Sequence, residues 1–314
     1  MTELKKDILI TLAYFDLFKH PLTPREIYLF LGRNYQIKEF EIALMNLTAE
    51  KQIFELKEFY ALRNDLSLAE RRKQGNEYAG TLLKTAKKVA SVLSYFPYVR
   101  GIAVSGSLSK NYADSTSDID LFIITAKNKV WTTRTLMHCL KKISFLFKKE
   151  HLLCMNYYID ETELEIAEKN IYTATEIVTL MPMFGATIFD KFYTANKWTI
   201  SFLPNHFIRI MSAPEINMNW IKLFAEQMGN NFLGSAIENL LMKITRTRWN
   251  KKTKQHQLTN QGLVMSLDAG KHHAKPDPTK FQNKLLQLYE NKAWQVLQKL
   301  ESGKANKIQQ SLAK

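Results

Sequence analysis

The segment from Gly101 to Thr125 constrains the fold of this chain more than any other. Two short apolar runs, at 102–104 and 121–124, flank a loop of small and polar residues. Runs of this length and composition are typical of buried β-strands. The segment therefore predicts a strand–turn–strand unit.

Two carboxylates stand at the start of the second run. Asp118 and Asp120 are two residues apart, so on a strand they project from the same face, about 7 Å apart along the chain. Carboxylates this close repel each other unless a cation lies between them. Oxygen ligands at the end of a buried strand suit Mg²⁺ or Mn²⁺, which are normally shared with the phosphates of a substrate. The pair predicts a metal site.

The turn after the first run has the properties of a phosphate-binding loop. Gly106 lets the backbone approach a ligand closely, and Ser107 offers a hydroxyl and an amide. A helix after the turn would point its N-terminus at a phosphate, and Lys110 could neutralise developing charge. A Ser-Gly-Ser turn or an Asp-x-Asp pair alone is common in ordinary loops. The prediction of a functional site depends on their combination, with ten residues between Ser107 and Asp118.

The pattern Gly106-Ser107, ten residues, Asp118-Ile-Asp120 with apolar flanks resembles the signature of the DNA polymerase beta-like nucleotidyltransferase superfamily. The resemblance implies an α+β fold with a mixed sheet flanked by helices. It also implies Ser107 as a phosphate ligand and Asp118 and Asp120 as ligands of two metal ions, Mg²⁺ or Mn²⁺. The implied reaction transfers a nucleoside monophosphate from a nucleoside triphosphate to an acceptor.

A third carboxylate, from a later strand, usually completes the site in active members of the superfamily. The next strand candidate here, residues 152–159, carries Asn156 at its middle. Asparagine can ligate a metal through its carbonyl oxygen, but it has no charge and cannot accept a proton. Asp160 is a further candidate, although the simpler interpretation is that it opens a polar turn. Asn156 favours an alternative function, a catalytically weak nucleotide-binding regulator.

Residues 1–66 are predicted to form a separate module. Helical patterns at 7–18, after Pro21 and at 37–50 precede two strand-like runs around a turn at 57–58. This order resembles a winged-helix domain, a fold that binds DNA in some proteins and docks proteins in others. Residues 38–46 of the third helix carry two glutamates and one lysine, which is a poor surface for phosphates. We expect protein docking or intramolecular packing, and a winged-helix nucleic-acid-binding protein stays the third alternative.

The rest of the chain divides into a predicted nucleotidyltransferase domain at 67–190 and a helical C-terminal region at 191–314. The first begins with a connector helix at 67–94, in which Arg71 or Arg72 could approach a triphosphate, although a salt bridge is the simpler role. Further helical patterns lie at 130–148, 172–183, 220–248 and 280–300.

Composition limits the partners. The net charge of +14 fits a polyanion such as nucleic acid or a nucleoside triphosphate, although the dense basic run at 243–254 is more often a solvated helix face. No apolar run approaches the roughly 20 residues that span a bilayer, and the N-terminus has no features of a signal peptide. We expect a cytoplasmic protein with reduced cysteines and no membrane partner. The acceptor, whether nucleic acid, protein or small molecule, is not selected by the motif.

Overall fold

The computed structural model describes residues 2–145, 154–206, 213–255, 267–276 and 278–312. In this part of the chain a six-stranded sheet forms the centre and a two-stranded sheet lies near the N-terminus. Helices flank the larger sheet. The mixed α+β fold predicted from the sequence is therefore confirmed.

Three helices and a hairpin make up the N-terminal part. They are α1 (Glu3–Asp16), α2 (Pro24–Leu29), α3 (Ile37–Ala49), β1 (Phe54–Leu56) and β2 (Phe59–Ala61). α2 begins with a capping box, in which Thr23 Oγ1 accepts a hydrogen bond from the Glu26 amide at 3.2 Å and the Glu26 carboxylate accepts one from the Thr23 amide at 2.9 Å. A β-bridge between Leu22 and Tyr60 joins the hairpin to the helices.

The middle of the chain builds most of the sheet. Its elements are α4 (Leu66–Ser94), β3 (Val99–Val104), α5 (Gly106–Ser109), β4 (Asp120–Thr125), α6 (Val130–Phe145), β5 (Cys154–Asp160), α7 (Ile171–Thr179), β6 (Met181–Phe184), α8 (Ala186–Ala195) and a 3₁₀ turn at Lys197–Ser201. The helix predicted at 172–183 is shorter than expected, because its last residues form the edge strand β6. An edge position tolerates Pro182, which has no N–H to donate.

The C-terminal part adds helices and two strands. Its elements are α9 (Trp220–Gly229), α10 (Phe232–Lys254), β7 (Leu267–Ala269), β8 (His273–Pro276) and α11 (Pro278–Leu312). The strand order of the sheet is β6-β3-β4-β5-β8-β7, in which β4 and β5 are parallel and the other neighbours antiparallel. The two C-terminal strands were not predicted, because each is too short to show an alternating pattern. Within the described residues, no helix has both the length and the apolar character needed to cross a membrane.

Alternation along the strands decides which helices face the site. Ile123 of β4 belongs to the core cluster that packs on α4 and α6, whereas Phe122 and Ile124 belong to the cluster that packs on α7 and α8. Asp120 has the parity of Phe122, because side chains two residues apart lie on one face of a strand. The fold therefore directs Asp120 to the side of the sheet that α7 covers.

Candidate active site

Asp120 begins β4 and packs against the turn that follows β3. The Ser105 amide donates a hydrogen bond to the Asp120 carbonyl oxygen at 2.9 Å. Gly106 has a φ of 69°, and a Cβ atom there would lie 2.6 Å from Asp120 Oδ2. A side chain at this position would both collide with the carboxylate and strain the backbone. The position of the Asp120 carboxylate therefore requires glycine at position 106.

The carboxyl group of Asp120 lies in a site with excess negative charge. Burial, together with the neighbouring carboxylates of Asp118 and Glu176, raises its pKa to about 6, although the Cys154 thiol and Lys110 act to lower it. Asp118 is exposed to solvent. A carboxylate that is costly to ionise is stabilised by a nearby cation. The electrostatics around Asp120 therefore favour a bound cation.

Lys110 and Glu176 form an ion pair beside the turn. The ammonium group of Lys110 donates hydrogen bonds to Glu176 Oε1 at 2.8 Å and to the Gly106 carbonyl at 3.1 Å. Glu176 lies on α7, the helix that faces Asp120. The local sequence pattern did not predict this carboxylate at the site. One feature of the sequence could have indicated it, because Glu176 is the only charged residue of α7.

Ser107 lies in the first turn of α5, at the surface. Its carbonyl oxygen accepts hydrogen bonds from the amides of Lys110 and Tyr112 at 3.0 and 3.1 Å. These bonds fix the backbone of the turn, while the side chain of Ser107 is exposed. The residue is therefore accessible to a ligand that approaches Gly106 from solvent.

β5 places a thiol beside the acidic pair. Cys154 is the register partner of Asp120, and burial together with Asp120 raises the pKa of its thiol to about 12. Asn156 is the extra residue of a β-bulge in β5, and its side chain lies outside the part of the chain that the structure describes. The residue opposite Asp120 on the neighbouring strand is thus a protonated cysteine.

Asp160 lies far from the acidic pair. Its register partner on β4 is Thr125, five residues beyond Asp120, a separation of about 16 Å along the strand. The carboxylate accepts a hydrogen bond from Thr162 Oγ1 at 2.6 Å and lies 2.8 Å from His272 Nδ1. Burial acts to raise the pKa of Asp160, but these hydrogen bonds hold it below its usual value. The structure does not bring Asp160 to the site, and instead this residue joins β5 to the segment before β8.

Two cationic side chains of α4 lie near the segment that follows α5. The guanidinium carbon of Arg71 lies 5.0 Å from the centroid of the Tyr112 ring, whereas Arg72 forms a buried ion pair with Glu26 at 2.7 Å. Burial, and then the charges of Arg72, Lys110 and Arg71, hold the pKa of His20 well below its usual value. A neutral histidine thus lies near the cations Arg71, Arg72 and Lys110.

Comparison with known proteins identifies part of the chain. Residues 84–176 match the family model of a nucleotidyltransferase domain. The matched segment begins in α4, includes Gly106, Asp118 and Asp120, and ends at Glu176. No curated protein and no solved structure matches the chain significantly. The chain therefore contains a nucleotidyltransferase domain, in agreement with the DNA polymerase beta-like nucleotidyltransferase superfamily.

Proposed function

We propose that this protein is a metal-dependent nucleotidyltransferase, which transfers a nucleoside monophosphate from a nucleoside triphosphate to an acceptor. One observation carries the proposal: Asp120 packs on the Gly106 turn, with Asp118 two residues before it, inside a segment that matches a nucleotidyltransferase domain. The acceptor hydroxyl would form a bond to the α-phosphorus as the bond to the β-phosphate oxygen breaks, and pyrophosphate would leave.

The donor set of the acidic pair fits Mg²⁺ or Mn²⁺. Asp118 and Asp120 offer only oxygen ligands, and the raised pKa of Asp120 indicates a carboxylate that gains from a nearby cation. Within the described residues, no group of three or more acidic, histidine or cysteine side chains could hold a metal alone. Mg²⁺ commonly binds through one or two carboxylates and the phosphates of the substrate. When bound, such ions lower the pKa of the attacking hydroxyl and neutralise the leaving pyrophosphate.

The turn and Lys110 would bind the phosphates. Ser107 is exposed next to Gly106, and the ammonium group of Lys110 lies at the same turn. In the absence of substrate Glu176 neutralises Lys110. A triphosphate would compete with Glu176 for this ammonium group, because it carries more negative charge than one carboxylate.

The test of this function measures label transfer and pyrophosphate release. The protein is incubated with each α-labelled nucleoside triphosphate, Mg²⁺ or Mn²⁺, and fractionated cell extract. We expect one fraction to become labelled and the signal to disappear in the double variant Asp118→Ala, Asp120→Ala. Asp190→Ala is the matched control, because Asp190 is an exposed aspartate of α8 in the same domain.

The second candidate function is a nucleotide-binding regulator with little turnover. The thiol of Cys154, opposite Asp120, favours it, because a protonated cysteine provides neither a metal ligand of the expected kind nor a base. Triphosphate binding that depends on Asp118 and Asp120, without label transfer to any fraction, would support this function and contradict the first.

We further propose that the N-terminal helices and hairpin form a winged-helix-like protein-docking module. The exposed side of α3 carries Ile37, Ile42 and Met45, with exposed fractions of 58%, 61% and 72%. Apolar side chains on a surface fit a protein partner better than phosphates. Salt-dependent duplex binding that persists in the double aspartate variant would instead favour a nucleic-acid-binding protein.

A further inference from the structure

The helix α9 presents its charged residues to the protein interior. The ammonium group of Lys222 donates hydrogen bonds to the carbonyl oxygens of Ser94 and Val99 at 2.9 and 3.0 Å. Glu226 pairs with Arg100 at 2.6 Å. Both α9 residues are almost fully buried, with exposed fractions of 1% and 5%. The polar side of this helix therefore attaches it to the domain.

The opposite side of α9 is apolar and faces solvent. The exposed fractions are 76% for Trp220, 60% for Ile221, 61% for Phe224 and 62% for Met228. A surface helix of a soluble domain normally shows the reverse arrangement, with apolar residues inward. The distribution of apolar and charged residues on α9 is thus typical of a helix whose outer side contacts a binding partner.

The helix α10 repeats this arrangement. Its buried Glu238 accepts hydrogen bonds from the amides of Trp131 and Thr132 at 2.7 and 2.8 Å. Phe232 and Leu233 are 85% and 69% exposed. In each of these two successive helices, large apolar side chains therefore lie on the side away from the buried charged residue, and we call these two outer sides the α9–α10 face. Exposed apolar surface of this kind marks an interaction site.

A basic run continues the α9–α10 face. From Leu233 to Ile244, exposed apolar residues of α10 follow one another at intervals of three or four positions, so they lie on one side of the helix. Arg248 and Lys251 continue the same spacing and are also exposed. Four more exposed cations accompany them, namely Lys243, Arg246, Lys252 and Lys254. Between 216 and 254 the only acidic residues are Glu226 and Glu238, and both are buried. All exposed charge on these two helices is therefore positive.

We propose that the α9–α10 face binds the surface of a membrane that contains anionic lipids. Helices that lie in a membrane interface combine exposed Trp, Phe and Leu side chains with Lys and Arg, and anionic head groups attract the basic residues. A second copy of this chain would place the basic run against an identical one or leave it unpaired. Nucleic acid would pair with the cations but leave Phe232 and Leu233 in water. Anionic lipid satisfies both parts of the face.

Lipid binding by the α9–α10 face would contradict the expectation, drawn from the sequence, that the protein has no membrane partner. That expectation depended on the absence of a run of about 20 apolar residues, which a spanning helix needs. A helix that lies in the plane of the interface needs only one apolar side. The apolar residues of α9 and α10 are interspersed with the polar residues that hold both helices on the domain, so the sequence alone did not reveal them as a surface.

The test is sedimentation of the full chain with lipid vesicles. We expect binding to vesicles of phosphatidylcholine with phosphatidylglycerol to exceed binding to pure phosphatidylcholine vesicles by about tenfold, and to weaken as salt rises. The double variant Phe224→Glu, Phe232→Glu should lose about tenfold in binding, because it introduces charge into the apolar part. Arg248→Glu with Lys251→Glu should abolish the preference for phosphatidylglycerol.

The matched control is Leu66→Glu with Tyr78→Glu, which changes two exposed large side chains on α4, outside the α9–α10 face. This control should bind vesicles as the parent protein does. Equal binding by the parent protein and the Phe224→Glu, Phe232→Glu variant overturns the proposal, as does failure to bind phosphatidylglycerol vesicles. Light scattering and RNA titration of the same variants would then show whether a second copy or a nucleic acid occupies the face.

Discussion

At the scale of single residues, the contact between Gly106 and Asp120 sets the geometry of the site. The left-handed backbone of Gly106 brings the turn against the carboxylate, at a distance that leaves no room for a Cβ atom. The turn proposed to bind phosphate and the acid proposed to bind metal are thereby held together before any ligand arrives. Ligand groups that are already positioned lower the ordering cost of binding.

Replacing Gly106 tests this contact. Gly106→Ala should lower the free energy of unfolding by roughly 1–3 kcal/mol, because it combines a strained backbone with a clash, and it should abolish triphosphate binding. Gly80→Ala is the control, since nothing lies within 4 Å of a Cβ atom at that helical position, and we expect it to raise stability by about 0.5–1 kcal/mol. Urea denaturation and calorimetry measure both effects, and equal stability of the two variants would contradict the argument.

Because the pKa of Asp120 is raised, we expect the stability of the folded protein to depend on pH and on bound metal. With a pKa of about 6 in the folded protein and an ordinary value in the unfolded chain, the folded state loses stability as pH rises from about 4 to 6, and the full cost persists above 6. Asp120→Asn should therefore stabilise the metal-free protein at pH 7 by roughly 1–3 kcal/mol, and the gain should vanish near pH 4.

Thermal denaturation at the two pH values measures this gain. Added Mg²⁺ should raise the melting temperature of the parent protein at pH 7 and leave that of Asp120→Asn nearly unchanged, because the substituted side chain no longer carries the charge that the ion neutralises. A variant that is less stable than the parent protein at pH 7 without metal would show that the carboxylate is not costly to bury.

At the scale of elements, α7 supplies the side chain that controls Lys110. Glu176→Gln should strengthen triphosphate binding by about threefold to tenfold, since the neutral amide releases the ammonium group and removes repulsion near Asp120. Lys110→Met should weaken binding by at least about tenfold. Titration calorimetry with a non-hydrolysable triphosphate measures the binding affinity of each variant. Weaker binding in both variants would show that Glu176 positions Lys110 for the substrate and does not compete with it.

The elements also show how much the sequence could predict. The local pattern was sufficient for the strands β3 and β4 and for the capping box at Thr23, because each depends on neighbouring residues. The strand β8 pairs with β5 and the strand β7 pairs with β8, and each is too short for its local pattern to indicate a strand. Glu176 was missed for a related reason. Its position opposite Asp120 results from strand parity and from the packing of α7, which are properties of the tertiary fold.

Local patterns left two interpretations of Asp160 open, a polar turn and a contribution to the site. The sequence puts it one residue past a strand candidate, close to Asn156, and this suggested a contribution to the site. Because β5 runs parallel to β4, its end is carried away from Asp120 and toward Thr125. The sequence of β5 does not show whether this strand runs parallel or antiparallel to β4. The parallel direction is what places Asp160 away from Asp120.

At the scale of the whole molecule, the first and last helices are packed together. The rings of Tyr14 on α1 and Tyr289 on α11 meet edge to face, with centroids 5.4 Å apart. Asp16, at the end of α1, pairs with Lys292 of α11 and with Arg63 after the hairpin, both at 2.7 Å. The N-terminal helices and the C-terminal helix therefore stabilise each other, although they lie at opposite ends of the sequence.

A substitution of Asp16 tests the packing of α1 on α11. The Asp16 side chain is only 6% exposed, and Asp16→Asn leaves two cations without their counter-ion, so we expect a loss of roughly 1–3 kcal/mol in the free energy of unfolding. Hydrogen exchange should rise in both α1 and α11. Glu50→Gln is the control, because Glu50 forms an ion pair of the same length with Lys5 but is 46% exposed, and surface pairs contribute below about 1 kcal/mol. If exchange rises in α1 alone, the two ends of the chain are stable independently, and the N-terminal part folds as a separate module.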